Sequence, residues 1–290
     1  MGNDAYGGTF RLISKVLTRM GVTWSAADFS KRENIENCVT DRTRVIWAET
    51  PSNPLLSIVD IQMLSEVAHS IGAWCVVDNT FATPYLQQPL AHGADFVVHS
   101  ATKYLGGHSD VVGGFIATNS PELDQEIGFL QNAIGAVPAP WDCYLLLRGV
   151  KTLSVRMDRH CENSKAVAEF LSGNSDVEWV RFPGLAGDPA HSLNDKYIDG
   201  KGGSMVVFGI KGGSEAGSKF IDSLELFSHL ANVGDAKSLA IHPATTTHSQ
   251  LNPDQQGDAG ISPELVRLSI GIEHIDDIIE DIDKGLAAAK

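Results

Sequence analysis

The stretch VVHSATKYLGGHSDVVGG, residues 97–114, is the part of the chain that most constrains its fold and its chemistry. Its apolar start predicts a buried strand that ends near Ser100, so that Thr102 and Lys103 lie in the loop that follows. A lysine there can be desolvated until its amine is partly neutral, and a neutral amine can attack a carbonyl to form a Schiff base. Ser100 and Thr102 place hydroxyls at a spacing that suits a phosphate. Taken alone, the segment fits a surface lysine in a polar turn equally well.

A second stretch, AWCVVDNT at residues 73–80, predicts a strand buried on both faces with Asp78 at its carboxyl end. Open α/β sheets bind ligands at that edge. A carboxylate there can pair with a protonated ring nitrogen, and proteins hold pyridoxal 5'-phosphate (PLP) with such an aspartate and a lysine Schiff base. Asp78 and Lys103 together therefore predict PLP as the cofactor. Without Lys103, an aspartate that caps the next turn would be the better interpretation.

The composition is that of a globular, acidic protein. A chain of 290 residues with 43% hydrophobic content can bury a sizeable core, as one large domain plus a smaller one. Lys and Arg number 22 against 36 Asp and Glu, a formal charge of −14, and no basic run interrupts this excess. We therefore expect no nucleic acid and no membrane as partners. Single positive side chains in a pocket become more informative, because an anionic cofactor and a carboxylate substrate both need positive charge.

The cysteines and histidines argue for a reducing compartment and against a metal. The four cysteines include no C-x-x-C pair; they are Cys38, Cys75, Cys143 and Cys161. There is no signal peptide and no apolar segment long enough to span a bilayer, so we expect a cytoplasmic protein. Several histidines fall on different predicted loops without metal-ligand spacing: His99, His108, His242 and His248.

Apolar periodicity predicts strands that alternate with helices in the first half of the chain. Strands are expected over residues 22–29, 44–49 and 111–118 beside the Asp78 and Lys103 strands, and helices over 10–20, 33–39, 60–71 and 121–132. This alternation favours an α/β fold with a mostly parallel sheet covered by helices on both faces.

A long helical pattern over residues 141–171, interrupted near Gly149, is expected to link two domains. We place a large PLP-binding domain at 1–150 and a smaller α+β domain at 151–290. The second domain is predicted to contain strands over 177–181, 204–210 and 265–270 and helices over 214–223 and 275–289.

Two polar residues in unusual settings are further site candidates. Asn53 lies between Pro51 and Pro54, which stiffen the backbone and could hold an amide still against a ligand, although most S-N-P segments are only turns. Arg267 interrupts an apolar strand and must face away from its neighbours, toward a partner or solvent. A guanidinium group suits an α-carboxylate, and a surface ion pair is the alternative.

Five motifs together resemble the Cys/Met-metabolism family of PLP enzymes, which includes cystathionine γ-synthases and lyases, methionine γ-lyase and the O-acylhomoserine sulfhydrylases. The motifs are YGGT at 6–9, ETPSNP at 49–54, VDNT at 77–80, SATKY at 100–104 and RLSIG at 267–271. The resemblance runs essentially end to end. It implies the aspartate aminotransferase-like fold, fold type I, of PLP-dependent transferases.

The resemblance also implies a role for each candidate residue. Lys103 matches the Schiff-base lysine, Asp78 the partner of the pyridine nitrogen, and Tyr6 the ring stacked on the cofactor. These three are the residues expected to act in catalysis. Ser100 and Thr102 match the phosphate-binding hydroxyls. An ordinary core aromatic is the alternative for Tyr6.

For the substrate end of the site, the resemblance points to three residues. Asn53 matches the asparagine near the cofactor's phenolic oxygen and the substrate, and Arg267 matches the arginine that binds the substrate carboxylate. Ser238 lies where the family places a backbone or hydroxyl contact to the same end of the substrate. A small-molecule amino acid is therefore the expected partner.

Members of the family carry a substantial region before the Y-G-G-T motif. That region supplies a glycine-containing phosphate loop and a Tyr-x-Arg pair that reaches the neighbouring subunit's cofactor. The sequence does not contain it, so we expect a truncated family member. The resemblance also implies a homo-oligomer, a dimer of dimers with sites shared between subunits.

The C-terminal half favours one activity within the family. The run ANVGDAKSL followed by HPATTTHSQL resembles O-acetylhomoserine sulfhydrylase, since cystathionine enzymes usually have a glutamate where Lys237 stands. Methionine γ-lyases usually have a cysteine where Gly8 stands. The expected reaction is replacement at the γ-carbon of O-acetylhomoserine or O-succinylhomoserine by sulfide or a thiol, which yields homocysteine or methionine, with Lys103 as the base. Cystathionine γ-synthase or γ-lyase activity is the alternative, and a catalytically silent chain is the second.

Overall fold

The computed structural model describes residues 1–246 and 260–290, and the strands within them form two sheets. The strands are β1 (Val45–Glu49), β2 (Trp74–Asp78), β3 (Phe96–Ser100), β4 (Gly114–Ala117), β5 (Val177–Arg181), β6 (Met205–Ile210), β7 (Ser228–His229), β8 (Leu239–Ile241) and β9 (Leu265–Ser269). The helices are α1 (Gly7–Arg11), α2 (Arg32–Glu36), α3 (Ile61–Ser70), α4 (Thr83–Leu86), α5 (Pro121–Ile134), α6 (Pro140–Val150), α7 (Leu153–Ser172), α8 (His191–Ile198), α9 (Gly213–Ser223) and α10 (Ile275–Ala288). Shorter helical turns cover Leu12–Val16, Leu17–Met20, Pro89–His92, Ala101–Leu105 and Pro243–Thr245.

The first sheet has the order β1-β2-β3-β4, in which β1, β2 and β3 are parallel and β4 is antiparallel to β3. The apolar middle of β2 is buried, as expected for a strand covered on both faces. Helix α3 connects β1 to β2 and begins where predicted, because the Asp60 side chain accepts a hydrogen bond from the Met63 N–H at 3.1 Å. The predicted α/β class and the mostly parallel sheet are confirmed.

Cover of the first sheet by helices is less complete than predicted. On β4, Phe115 is 57% exposed and Ile116 is 47% exposed. Helix α5 follows β4 and buries none of its residues. The outer edge of this sheet is thus left with an uncovered apolar surface.

The predicted strand over residues 22–29 is wrong. The segment forms one isolated bridge, between Ala27 and Gly2, and is otherwise irregular. A strand needs a neighbouring backbone along its length, whereas only residues 1–3 lie beside this one. Val22 and Trp24 are consequently exposed. The apolar residues do alternate, but the backbone between Ser25 and Ala27 is bonded to residues 1–3 and not to a strand of either sheet.

The second sheet has the order β5-β6-β9-β8-β7 and is antiparallel except for the parallel β7–β8 pair. The central strands β6 and β9 are buried along their whole length; α7 and α9 pack against the sheet, and α10 packs against α7 and α9. The sequence pattern predicted β5, β6 and β9 but missed β7, β8 and α8. The two missed strands have only two and three residues, which is too short to show a period.

The two sheets fall on either side of the predicted domain boundary, and the helical pattern breaks between α6 and α7. The core around the first sheet nevertheless includes Met157, Tyr197 and Val207 from the second half. The boundary at residue 150 therefore stays a prediction. This shared core brings β9, with Arg267, toward the first sheet. Among residues 1–246 and 260–290, no helix combines the length and apolar character needed to cross a bilayer.

Candidate active site

The carboxyl ends of the three parallel strands meet at one edge of the first sheet. Glu49 pairs in register with Asp78, and Asp78 with Val98, so the end of each strand lies beside the next. Asp78 Oδ1 accepts hydrogen bonds from the Thr80 N–H at 3.1 Å and the Thr80 hydroxyl at 2.5 Å. The Thr80 oxygen in turn accepts from the Ser100 N–H at 2.9 Å. Thr80 thus joins two of the predicted site residues.

One carboxylate oxygen of Asp78 is free to accept a hydrogen bond from a ligand. Within the described residues, Oδ2 makes no hydrogen bond, whereas Oδ1 is held by Thr80. Burial raises the pKa of the Asp78 carboxyl, and the two Thr80 hydrogen bonds lower it in part. A half-buried carboxylate with one oriented and one open oxygen can accept a hydrogen bond from a protonated ring nitrogen. This is what the predicted pairing with the cofactor requires.

Tyr6 is fixed to the same edge through its backbone. Its N–H donates to Glu49 Oε2 at 2.7 Å, while the side chain is 53% exposed. Burial, and then the neighbouring Asp78, raise the pKa of the Glu49 carboxyl well above its usual range. The Tyr6 ring lies against Gly8, so closely that a Cβ at Gly8 would overlap it. A cysteine at this position would need the ring to move.

The turn that carries Lys103 is held from several directions. Helical geometry in Ala101–Leu105 breaks at Lys103, where φ is −90° and ψ is −129°. The next residue, Tyr104, is fully buried, and its carbonyl accepts from Arg156 Nη1 at 2.7 Å. Arg156 also donates to Gly149 O at 2.9 Å, and so ties the turn to α6. The lysine therefore projects from a well-supported backbone.

The Lys103 amine lies in an environment that lowers its pKa. Burial lowers the pKa of Lys103, and the positive charge of Arg267 lowers it further. Nζ donates a hydrogen bond to the amide oxygen of Asn232, a neutral acceptor. Burial and the charge of Arg267 both favour the neutral amine that the predicted nucleophile needs, and the burial excludes a fully solvated surface lysine.

Arg267 is a buried cation whose partners are neutral. Its side chain extends from β9, with 8% of the residue exposed. Nη1 donates to Asn53 Oδ1 at 2.9 Å and Nη2 to the Asn232 carbonyl at 3.3 Å, and Nε has no partner among the described residues. Burial lowers the pKa of Arg267 to about 10. Because a buried charge without a counter-ion costs several kcal/mol, this arrangement suits an anionic ligand.

Asn53 is brought to Arg267 by the fold, since the two are 214 residues apart in the sequence. The peptide bonds before Pro51 and Pro54, the prolines that flank it, are both cis. Because Arg267 is buried and forms no ion pair with any of the described residues, the structure argues against a surface ion pair. It also places the amide predicted to lie near the substrate on the residue predicted to bind the substrate carboxylate.

Two hydroxyls expected at a phosphate lie on either side of Ala101. Ser100 Oγ makes no hydrogen bond within the described part of the chain, and so could donate to a ligand. Thr102 Oγ1 accepts from the Gly113 N–H at 3.0 Å and donates to the Gly113 carbonyl at 3.4 Å, which is near the limit for a hydrogen bond. A phosphate oxygen could replace that weak acceptor.

Ser238 is not brought into this group. Its N–H donates to Glu273 Oε1 at 2.6 Å, its hydroxyl donates to Glu273 Oε2 at 3.0 Å, and the same hydroxyl accepts from the Gly271 N–H at 2.9 Å. Its carbonyl accepts from the Ser228 N–H. Every polar atom of Ser238 thus has a protein partner, and its predicted contact with substrate stays a prediction.

The histidines considered in the sequence analysis are not grouped at this site. His242 is bonded to the Thr245 hydroxyl at 2.9 Å and the Pro263 carbonyl at 2.8 Å. Burial lowers the pKa of His99 to about 4. His248, and the end of the HPATTTHSQL motif, lie outside the described residues. Within residues 1–246 and 260–290, no three His, Cys, Asp or Glu side chains are grouped so as to hold a metal ion.

Three residues that contact the predicted site residues were not assigned from the sequence: Glu49, Thr80 and Asn232. Glu49 and Thr80 lie inside quoted motifs, and Asn232 lies inside the quoted run ANVGDAKSL. Nothing in the local pattern shows which partner each one contacts, because the contacts join distant segments. Proximity to a motif was the only available signal.

The site combines a lysine with a lowered pKa, an aspartate with an open oxygen, and a buried arginine that has no counter-ion among the described residues. Such a combination is typical of α/β enzymes that hold a carbonyl cofactor on a lysine and bind an anionic amino acid. The chain belongs to the Cys/Met metabolism PLP-dependent enzyme family, whose sequence profile matches residues 1–287. Its cofactor is therefore PLP, which the free Asp78 oxygen and the Lys103 amine fit.

Individual relatives agree with this family. The chain is 45% identical to cystathionine gamma-lyase of Dictyostelium discoideum, over 98% of this chain and 73% of that protein. It is 47% identical to cystathionine gamma-synthase of Mycobacterium tuberculosis, over 98% of this chain and 72% of that protein. The crystal structure of cystathionine gamma-lyase from Lactobacillus plantarum complexed with L-serine superposes with a TM-score of 0.94 at 40% identity, and covers 99% of this chain and 75% of that one.

These comparisons confirm the family resemblance, the fold type I class and PLP. They also bear on the activity. The two relatives and the crystal structure given above are named as cystathionine enzymes, so they favour the alternative kept open above over the O-acetylhomoserine sulfhydrylase.

Proposed function

We propose that this protein is a PLP-dependent trans-sulfuration enzyme of the cystathionine γ-synthase or γ-lyase type, acting on an amino acid with a leaving group at its γ-carbon. The observation that carries the proposal is the buried Arg267, whose recorded partners are all neutral and whose charge lowers the pKa of Lys103. A substrate carboxylate would supply the missing negative charge beside the reactive amine. Relatives that are 45% and 47% identical support the choice within the family.

The cofactor would be held by Lys103, by Asp78 at its ring nitrogen, by Ser100 and Thr102 at its phosphate and by Tyr6 on its face. When bound, PLP supplies an electron sink that stabilises negative charge at the substrate α-carbon. Asp78 contributes a negative charge that keeps the ring nitrogen protonated. The hydrogen bonds from Thr80 hold this carboxylate in one orientation.

Lys103 also serves as the base in this proposal. Its amine must take a proton from the substrate, and a general base works best when its pKa is near the working pH. Burial and the Arg267 charge both move the pKa of Lys103 in that direction. Arg267 would grip the α-carboxylate with its guanidinium group, and Asn53, already bonded to Nη1, would limit how that group can turn. The α-proton is then presented to Nζ in one geometry.

A substrate panel tests the proposal. The purified protein, saturated with PLP, would be assayed with O-acetylhomoserine or O-succinylhomoserine plus cysteine, with the same esters plus sulfide, and with cystathionine alone. Cystathionine formation identifies a synthase, and α-ketobutyrate released from cystathionine identifies a γ-lyase. No reaction in any of the three assays, in a protein that shows the visible absorbance of lysine-bound PLP, would overturn the proposal. The absence of that absorbance would instead favour the catalytically silent alternative.

A second candidate is an O-acetylhomoserine sulfhydrylase. It is supported by Lys237, which stands where cystathionine enzymes usually have a glutamate. Lys237 is exposed, and its N–H donates to Asp235 Oδ1 at 3.2 Å. Its charge could thus be reversed without disturbing the core. If sulfide is the better nucleophile and Lys237→Glu shifts the preference toward cysteine, the sulfhydrylase is the correct assignment.

Arg267→Lys is expected to lower kcat/KM for the amino-acid substrate by roughly one to two orders of magnitude. A lysine ammonium cannot reproduce two parallel hydrogen bonds to a carboxylate. The loss of a hydrogen bond to a charged group costs about 1.5–3 kcal/mol, which sets this range. Steady-state kinetics measures the effect, and the visible absorbance of PLP should survive because Arg267 is assigned to substrate. Loss of that absorbance would move Arg267 to the phosphate.

We also propose that the protein is a homo-oligomer. Support comes from an apolar surface on α5 and α6 that includes Phe129, Ile134, Trp141 and Leu147, between 65% and 74% exposed. Surfaces of this kind usually mark contacts with another protein. Trp141→Glu should lower the sedimentation coefficient, because a charge would be placed in the interface. Ser192→Glu, on the exposed side of α8, is the matched control. If both variants sediment like the unaltered protein, this surface is not the interface.

A cytoplasmic location is proposed from the cysteines. All four are free thiols, and Cys75 and Cys161 are buried. Fractionation of the source cells would test it.

A further inference from the structure

A chain of hydrogen bonds leads from the Lys103 amine into the segment between β7 and β8. Lys103 Nζ donates to Asn232 Oδ1, although the two residues are 129 positions apart. Asn232 Nδ2 donates to Ser109 Oγ at 3.1 Å, and Ser109 Oγ donates to Asp235 Oδ2. Asp235, at which these bonds end, is 6% exposed.

The direction of each bond follows from its last member. An ionised aspartate can only accept, so the single hydroxyl hydrogen of Ser109 points at Asp235. The Ser109 oxygen is left to accept, which it does from the amide nitrogen of Asn232. The amide oxygen of Asn232 is therefore turned toward Lys103, whose ammonium group can only donate.

The segment that carries Asn232 is packed on the turn that carries Lys103. Gly234 has a φ of +78°, and a Cβ at this residue would lie 2.7 Å from the Tyr104 backbone nitrogen. Only glycine tolerates both the left-handed backbone and this close approach. The Ala236 N–H donates to Gly107 O at 2.9 Å and fixes the segment at a second point. Asn232 cannot shift away unless the Lys103 turn moves with it.

Asn232 also contacts the other cation of the site. Its backbone carbonyl accepts from Arg267 Nη2 at 3.3 Å. One residue thus touches the amine with its side chain and the guanidinium with its backbone. A neutral amide suits this place, because a carboxylate would repel an anionic substrate approaching Arg267.

We propose that Asn232 is a positioning residue for the Lys103 amine, with its amide orientation set by Ser109 and Asp235. The inference rests on the proposed function in that Lys103 is taken to be the cofactor-binding lysine. A lysine side chain has four rotatable bonds, and holding Nζ at one point removes most of that freedom before the reaction. The amine is also kept within reach of the substrate that Arg267 binds.

Three substitutions and one control separate positioning from packing. Asn232→Leu keeps the number of side-chain heavy atoms and the branching at Cγ, and removes both polar atoms. Ser109→Gly removes only the hydroxyl that orients the amide; Ser109 is exposed and has a φ of +54°, which glycine adopts without strain. Asn232→Asp exchanges the amide for a charge. Asp199→Gly is the matched control, since Asp199 has the same φ of +54° and is exposed on the loop after α8.

The first readout is the pKa of Lys103 in the cofactor-free protein, measured by competitive acetylation across a pH series with mass spectrometry of the Lys103 peptide. A hydrogen-bond acceptor favours the charged amine, so Asn232→Leu should lower this pKa beyond what burial and Arg267 already do. Ser109→Gly should lower it by a smaller amount, and Asn232→Asp should raise it. The Asp199→Gly control should leave it unchanged.

The second readout is the kinetics of the PLP-saturated enzyme. Asn232→Leu and Ser109→Gly should lower kcat, by about tenfold for Asn232→Leu, with little change in KM, since the substrate still binds Arg267. Asn232→Asp should raise KM. The kcat of the double variant Asn232→Leu/Ser109→Gly should be no lower than that of Asn232→Leu alone, because both changes act through one amide.

An unchanged pKa of Lys103 in all three variants would overturn the proposal. So would a Ser109→Gly enzyme that titrates and turns over like the Asp199→Gly control. If Asn232→Leu fails to fold, the pKa of Lys103 in Ser109→Gly and Asn232→Asp still tests the proposal. Because the titration uses cofactor-free protein, it gives a result even if the substrate panel refutes the proposed function.

Discussion

Replacing Lys103 with alanine should abolish turnover and the visible absorbance of lysine-bound PLP. In the described part of the chain, Lys103 is the lysine on the turn after β3, where burial and the Arg267 charge lower the pKa of its amine. Alanine removes the amine that we propose both holds the cofactor covalently and takes the substrate proton. Absorbance spectra and steady-state kinetics on the preferred substrate measure the two losses together.

The matched control for this prediction is Lys165→Ala. Lys165 is exposed on α7, so its removal deletes the same side chain away from the site. The control should bind PLP and turn over normally. A Lys103→Ala protein that still showed the absorbance and reacted with substrate would mean that another lysine holds the cofactor.

Asp78→Asn should lower kcat by about a hundredfold or more while the absorbance of lysine-bound PLP persists. Asparagine can still accept the two Thr80 hydrogen bonds through its amide oxygen, so the local structure should be kept. The other oxygen, which has no protein partner in the described residues, becomes an amide nitrogen that carries no negative charge. If Asp78 pairs with the ring nitrogen as proposed, that nitrogen would lose the negative charge that keeps it protonated, and bound PLP would be a poorer electron sink.

Asp110→Asn serves as the control, because Asp110 is exposed in the loop before β4. The pH dependence of the absorbance, together with kcat, measures the outcome. Normal turnover by Asp78→Asn would show that the carboxylate only caps the turn at Thr80, which was the alternative interpretation of this residue.

Much of the fold follows from local sequence. The positions of β2, β3, β9 and α3 were predicted from apolar periodicity and from a capping residue such as Asp60, because these signals act over a few residues. The segment at 22–29 shows where this reasoning fails. Its alternation was suitable for a strand, but a strand also needs a partner, and the partner is set by the arrangement of the whole chain.

The candidate site likewise has residues that the sequence points to and residues that it does not. Lys103, Asp78 and Arg267 could be selected from the sequence because each stands out against its neighbours as a polar residue in or beside an apolar strand. Which residues contact them could not be predicted from the sequence. Asn53 reaches Arg267 across 214 residues, and Asn232 reaches Lys103 across 129.

Local patterns thus single out candidate residues for the chemistry, since the identity of a strand and of the residue at its end depends on near neighbours. They do not specify the environment of those residues. The neutral partners of Arg267, the lowered pKa of Lys103 and the bonds from Asn232 to Asp235 arise only when β9 and the segment before β8 pack on the first sheet. Burial and contact are properties of that packing, and they depend on residues that the chain holds far apart.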